Sequence, residues 1–126
     1  MAAVLEIAKN HGRGLVQIKD ISARGDIPQG YLEQLLNRLV KSGIVRAVRG
    51  KKGGYTLTQD PRQISLLNVL EALEGPVSIA ESAQGFPAIN EVLLRVEKDA
   101  RQSLNISLAD LLARQAETAT REMYYI

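Results

Sequence analysis

The segment that most constrains how this chain folds is residues 45–57, VRAVRGKKGGYTL. Four cations, Arg46, Arg49, Lys51 and Lys52, are followed by two glycines and then by a run in which apolar and polar residues alternate. Alternation of this kind is typical of a β-strand, and clustered glycines are typical of a tight turn. The segment therefore predicts a β-hairpin with a positively charged tip.

Two helices are predicted directly before this hairpin. The first covers residues 18–24 and is closed by Gly25. The second covers residues 29–42, with Pro28 at its start and an apolar stripe opposite its polar residues. Two helices joined by a short turn form a helix-turn-helix, in which the second helix offers its outward side chains to the bases of DNA.

The outward side chains of the second helix and the hairpin cations have the chemistry to read DNA. Gln and Asn pair with adenine, Arg pairs with guanine, and Glu accepts from the amino group of cytosine. Cations contact phosphates or the minor groove, and glycines allow a hairpin to approach the duplex. The alternative is that both sets form the solvated surface of an ordinary helix and turn. We predict DNA contacts from Gln29, Gly30, Tyr31, Glu33, Gln34, Asn37, Arg38, Arg46, Arg49, Lys51, Lys52 and Tyr55.

Composition narrows the class of protein. The chain has 126 residues, 45% of them apolar but only 4% aromatic, which predicts a single domain with an aliphatic core. Residues 1–58 hold ten Lys or Arg against four Asp or Glu, whereas residues 59–126 hold six against ten. The basic half is the one expected to meet a polyanion.

Because no signal-like or membrane-length apolar run is present, we expect a soluble, cytoplasmic protein.

Enzymatic chemistry has little support in the sequence. The chain contains no cysteine and one histidine, His11, which lies in a predicted loop. A thiolate nucleophile, a disulfide or a cysteine-bound metal cluster is therefore excluded, and no cofactor is predicted. Residues 50–53 match the GxxG loop of an RNA-binding KH domain, but that loop joins two helices, whereas this one has strand-like flanks.

The second half of the chain is predicted to be helical. One helix covers residues 64–73, with Ser65 as its N-cap, and a long helix covers residues 87–104 after a loop. Ser107 is expected to cap a last short helix that ends at Gln115 and is followed by a tail.

The long helix carries an apolar stripe that favours a two-helix dimer contact, with packing on its own domain as the alternative. The stripe consists of Ile89, Val92, Leu93, Val96, Ala100 and Leu104. We therefore expect a mainly α fold with a small β-hairpin, in which a winged helix-turn-helix domain carries a long C-terminal dimerisation helix. The predicted division is a DNA-binding domain at residues 1–75, a linker loop at 76–86, and a dimerisation helix with a C-terminal tail at 87–126.

Four strings of residues then identify a family. They are Tyr31-Leu-Glu-Gln-Leu35, Val48-Arg-Gly50 with Gly53-Gly-Tyr55, Leu73-Glu-Gly-Pro76 and Ser107-Leu-Ala-Asp-Leu111. In this order, over nearly the whole chain, they resemble the IscR/CymR family of bacterial winged-helix regulators. The resemblance implies a homodimer made by the long helix, with Glu33 at a base-reading position and Arg49 entering the minor groove.

The chain departs from one branch of that family. The IscR branch binds an iron–sulfur cluster through three cysteines in the loop after the Glu-Gly-Pro turn, and the matching loop here, residues 77–86, has none. The resemblance is therefore to the cysteine-free CymR branch, which represses genes of cysteine and sulfur metabolism. Family members usually also carry a short basic stretch before the first helix, which this sequence lacks.

The last residues resemble a known docking segment. Tyr124, Tyr125 and Ile126 are similar to the C-terminal segment that serine acetyltransferase offers to cysteine synthase. Cysteine synthase is therefore an expected partner, and a disordered or dimer-packed tail is the alternative.

The sequence thus predicts a homodimeric transcriptional repressor that binds an imperfect palindrome in double-stranded DNA and catalyses no reaction. The alternative is a winged-helix protein-interaction module that does not bind DNA. A salt-independent or absent interaction with any duplex would favour that alternative, because binding to the phosphate backbone depends strongly on salt.

Overall fold

The computed structural model describes residues 1–76, 78 and 85–125, with side chains up to residue 119. The helices are α1 (Ala2–Lys9), α2 (Ile18–Gly25), α3 (Gln29–Lys41), α4 (Leu66–Glu74), α5 (Pro87–Leu104) and α6 (Leu108–Tyr125), and the strands are β1 (Val45–Val48) and β2 (Gly54–Leu57). A short 3-10 helix at Pro61–Gln63 lies between β2 and α4. The predicted fold class, mainly α with a small β-hairpin, is confirmed.

One aliphatic core joins the first half of the chain to α6. Helix α3 contributes Leu32, Leu36 and Leu39, whose spacing places them on one face of the helix. The start of α6 contributes Leu108, which is as deeply buried as the α3 leucines. Within the described part of the chain no polar or charged side chain is buried. Burial of aliphatic surface is therefore the main force that holds these elements together.

The hairpin, which we call the wing (residues 45–57), is attached to the loop before α2. Strands β1 and β2 pair antiparallel. On the other edge of β2, the Val16 N–H donates to the Tyr55 carbonyl at 3.0 Å and the Tyr55 N–H donates to the Val16 carbonyl at 2.8 Å. These two bonds hold the base of the wing against the helix-turn-helix.

The paired glycines of the wing are required by its own packing. A Cβ on Gly53 would lie 2.1 Å from the carbonyl oxygen of Val48, and a Cβ on Gly54 would lie 2.7 Å from that of Val16. Any side chain at either position would force neighbouring backbone apart. The sequence suggested that these glycines let the wing approach DNA, but close contacts within the protein already require them.

The bounds of α3 and α4 differ from the predicted 29–42 and 64–73 by only one or two residues, and the ends of α2 and α6 differ more informatively. The left-handed residue after α2 is Asp26, with φ of 51°, rather than Gly25. Asp adopts this conformation more readily than most residues. Helix α6 continues to Tyr125, so the prediction of a short helix to Gln115 with a tail was wrong. No glycine or proline follows Gln115, so nothing in the local sequence ends the helix there.

The turn before α4 was predicted correctly and also anchors α6. Ser65 is the N-cap of α4: its hydroxyl accepts from the Asn68 N–H at 3.0 Å, and the Asn68 side chain accepts from the Ser65 N–H at 3.0 Å. Ser65 also forms a backbone bridge to Ser107, directly before α6. The predicted domain division did not include this contact, which ties the start of α6 to the residues 1–75 core.

Helices α5 and α6 are 18 residues each, but no helix in the described ranges is both long and apolar enough to cross a membrane. Helix α5 differs from the others in its packing. None of its residues is buried, and it contacts mainly α4. It is therefore held by the domain along only part of its surface.

Candidate nucleic-acid interface

A concave surface lies between the helix-turn-helix and the wing, and we call it the wing groove. Residues 17–19 at the start of α2, Gln29 and Asn37 on α3, and residues 47–51 and 53–55 of the wing line it. The Val16–Tyr55 bridge sets the distance between its walls. Sequence elements that are far apart along the chain thus form one continuous surface.

Among the residues that the structure describes, none neutralises the positive charge of the wing. Arg46, Arg49, Lys51 and Lys52 are exposed. Within the described ranges, their side chains form neither ion pairs nor hydrogen bonds; the Arg24–Glu6, Arg62–Asp60 and Arg101–Glu71 pairs lie elsewhere. Uncompensated cations of this kind attract a polyanion and raise its local concentration.

The outward face of α3 presents polar groups beside the wing. Glu33, Gln34 and Asn37 are exposed, and their side chains are free of partners among the residues described. Nothing lies within 4 Å of the position that a Cβ on Gly30 would occupy. No contact with the residues that the structure describes requires a glycine there, and the open space leaves room for a ligand to come close.

Two predicted contact residues lie on another side of α3. The Arg38 guanidinium donates to the Leu73 carbonyl of α4 at 3.2 Å. Tyr31 lies two turns earlier on the same side of the helix and is exposed. Of all the predicted contact residues, five line the wing groove: Gln29, Asn37, Arg49, Lys51 and Tyr55. The other seven do not: Gly30, Tyr31, Glu33, Gln34, Arg38, Arg46 and Lys52.

The groove also holds a cation that was not among the predicted contacts. Lys19 is exposed in the first turn of α2 and lines the groove together with Gln17, whose side-chain amide lies 3.5 Å from the Lys51 carbonyl oxygen. The sequence could have predicted this contact, because the first helix of a helix-turn-helix crosses the DNA backbone and Lys19 lies in the first turn of that helix.

The predicted dimerisation stripe on α5 is divided in the structure. Ile89, Val92 and Val96 are 53%, 56% and 46% exposed. Leu93, Ala100 and Leu104 are half-buried. Leu94, which was outside the predicted stripe, is also exposed at 48%. Exposed apolar side chains grouped on one helix mark a surface suited to a partner.

A basic wing beside a helix-turn-helix whose second helix exposes polar side chains defines a winged-helix DNA-binding protein. A family model for Rrf2, described as an iron-dependent transcriptional regulator, matches residues 1–114. The chain belongs to the Rrf2 family of transcriptional regulators. The predicted resemblance is thereby confirmed, since relatives named CymR and IscR are among its matches.

Relatives match nearly the whole chain. The regulator CymR of Bacillus subtilis is 32% identical over 128 aligned residues, which cover 100% of this chain and 93% of that protein. The structure of CymR, described as the global cysteine regulator of B. subtilis, superposes with a TM-score of 0.82 at 33% identity, over 90% of this chain and 89% of that one. The structure of T. potens IscR superposes with a TM-score of 0.79 at 35% identity, over 93% and 82%. This chain is accordingly a transcriptional regulator and not an enzyme.

The iron in the family description does not fit the residues of this chain. The sequence has no cysteine. Over the ranges that the structure describes, no three His, Asp or Glu side chains are grouped to hold a metal ion. A cysteine-ligated iron centre, the kind that the IscR branch was expected to carry, therefore has no ligands here.

Proposed function

We propose that this protein is a homodimeric repressor that binds an imperfect palindrome in double-stranded DNA and controls genes of cysteine and sulfur metabolism without an iron–sulfur cluster. The observation that carries the DNA-binding part is the wing groove. It brings uncompensated cations of the wing and polar side chains of α3 into one concave surface. A duplex needs both features, because phosphate contacts give affinity and base contacts give sequence preference.

The predicted contact residues, in the wing groove and on the exposed surface around it, have proposed roles. Glu33 accepts from a cytosine amino group. Because its carboxylate also repels phosphate, it favours binding only where a hydrogen-bond donor is correctly placed. Arg49 enters the minor groove, and Lys51 and Lys52 contact phosphates. The remaining proposed contacts are Gln29, Gly30, Tyr31, Gln34, Asn37, Arg38, Arg46 and Tyr55. The Arg38 guanidinium already donates to the Leu73 carbonyl, so the proposed base contact is made by its other N–H groups.

The proposed dimer rests on α5. Its exposed side chains Ile89, Val92 and Val96 would be covered by the same helix of a second copy, and Leu93, Ala100 and Leu104 flank them. A two-fold dimer presents two recognition helices, which matches a palindrome of two half-sites about 10 base pairs apart or a multiple of that.

The proposed regulon rests on similarity to CymR. That similarity extends over the whole chain, and the absence of cysteine agrees with a regulator that does not use a cysteine-bound cluster. The test is selection of genomic fragments by the purified protein, followed by sequencing. We expect a palindromic motif upstream of sulfur-metabolism genes. Recovery of a palindrome upstream of other genes would contradict the regulon only, and recovery of no motif would contradict sequence-specific binding.

Cysteine synthase is a proposed partner through Tyr124, Tyr125 and Ile126. These residues lie outside those whose side chains the structure describes, so the proposal rests on the resemblance of the sequence alone. Removal of Ile126 should abolish binding to cysteine synthase in calorimetry, because the terminal side chain and carboxylate are the proposed anchor. Unchanged affinity would contradict this partner and leave the DNA-binding proposal intact.

A further inference from the structure

Helix α5 is anchored to its own domain near its C-terminal end. The Arg101 guanidinium donates to the Glu71 carboxylate of α4 at 2.6 Å. Just beyond α5, the Leu66 N–H donates to the Ile106 carbonyl at 2.8 Å and the Ser107 backbone bridges to Ser65. By contrast, Ile89 and Val92 in the first half of α5 are more than half exposed. The helix is therefore fixed to its own domain near its C-terminal end, whereas apolar side chains in its first half are exposed.

The anchor lies on the helix that also holds α3. The Leu73 carbonyl near the end of α4 accepts from Arg38 of α3 at 3.2 Å. Glu71, two residues earlier on α4, is the residue that Arg101 binds. One short helix is thus joined by charge-assisted hydrogen bonds to the recognition helix on one side and to α5 on the other. Such bonds are directional and fix geometry as well as contributing energy.

We propose that the Glu71–Arg101 pair is a specificity-determining contact that sets the spacing between the two DNA half-sites. This inference rests on the proposed function, in which α5 forms the dimer and α3 reads DNA. An 18-residue helix is about 27 Å long, so a tilt of about 7° at its fixed end moves the far end by about 3.4 Å, the rise of one base pair. Small changes in the angle between α4 and α5 therefore change which spacing the dimer fits.

The experiment measures binding of the full chain to palindromic duplexes whose half-sites are separated by spacers that differ by one base pair. The proteins are the unmodified chain, Glu71→Gln, Arg101→Gln and the exchanged pair Glu71→Arg with Arg101→Glu. The readout is the ratio of affinities for the best spacer and for its neighbours. A duplex with one half-site, the dimer dissociation constant and the melting temperature are measured alongside.

We expect each single variant to reduce the spacing ratio by about fourfold, because an exposed ion pair gives about a twofold effect in each protomer and the dimer contains two. The exchanged pair should restore most of the ratio. Affinity for a single half-site and the dimer dissociation constant should stay unchanged, since neither residue lies in the wing groove or the exposed stripe. A merely structural role would lower the melting temperature and weaken all duplexes equally.

A spacing ratio that is unchanged in both single variants would overturn the inference, as would equal loss on all duplexes. If the unmodified chain bound no duplex at all, the proposed function would fail first. If the unmodified chain bound DNA with a clear preferred spacing and the variants retained it, only the role of the Glu71–Arg101 pair would be wrong.

Discussion

Helices α3 and α5 have similar sequence patterns and opposite packing. Both are amphipathic, yet α3 buries Leu32, Leu36 and Leu39 in the core, whereas α5 buries none of its side chains. An apolar stripe indicates that a helix packs against a partner surface, but it does not indicate whether that surface belongs to the same chain. In α3 the apolar face is buried and the polar face is exposed, whereas in α5 the apolar face is exposed. The proposed DNA reader and the proposed dimer helix follow from that difference.

The largest effect should come from truncating the buried stripe. Leu36 is fully buried, so Leu36→Ala should reduce the free energy of unfolding by about 2–5 kcal/mol through lost burial and a residual cavity. Leu94→Ala on α5 is the matched control, because it removes the same atoms from an exposed position, and it should cost less than about 1 kcal/mol. Urea denaturation measures both values. Equal losses would show that α5 is packed as firmly as α3.

A charge placed on the exposed apolar stripe of α5 should weaken the dimer without disturbing the fold. Val96→Glu places two like charges near the proposed two-fold axis and should raise the dimer dissociation constant by about 100-fold. Helix content should stay unchanged, since Val96 is not part of the buried core. Gln102→Glu adds the same charge to another side of α5 and serves as the control in sedimentation equilibrium. A Val96→Glu protein that stays as dimeric as the control would rule out this stripe as the dimer contact.

Removing the acidic group of α3 should alter selectivity more than affinity. Glu33→Ala should lower discrimination at one base pair of each half-site by about 1–3 kcal/mol, because a single accepted hydrogen bond from cytosine is lost. Binding to the other positions should stay the same. Competition with a panel of single-base operator variants measures the effect. Retained discrimination at every position would show that Glu33 is a solvated surface residue.

The smallest effect concerns a site that touches neither helix. Hydrogen bonds from Arg62 lower the pKa of the Asp60 carboxyl from its ordinary 3.8 to about 2. Because the folded-state pKa is lowered, the stabilising contribution is complete above about pH 4 and is lost as the pH falls towards 2. Asp60→Asn should therefore reduce stability slightly at pH 7, and the difference from the unmodified protein should vanish near pH 2. A difference in melting temperature that persists at low pH would contradict this assignment.

Sequence patterns predicted the parts of the molecule that are determined locally. The helix-turn-helix, the wing and the Ser65 cap each depend on residues within a few positions of one another. The Val16–Tyr55 bridge and the Arg38–Leu73 hydrogen bond join residues about 35 to 40 positions apart, and no periodic pattern encodes them. The length of α6 was predicted wrongly although the local sequence indicated it, because no glycine or proline after Gln115 ends the helix.

The central claim is that the wing groove binds DNA, and salt-dependent titration of Arg49→Ala tests it most directly. Arg114→Ala, which removes an exposed cation of α6 outside the groove, is the matched control. The operator affinity of each protein is measured between low and moderate salt. We expect Arg49→Ala to weaken binding and, if its contact is to phosphate, to reduce the slope of log K against log salt by about one, while Arg114→Ala matches the unmodified protein. Identical affinities and slopes for all three proteins would contradict the claim.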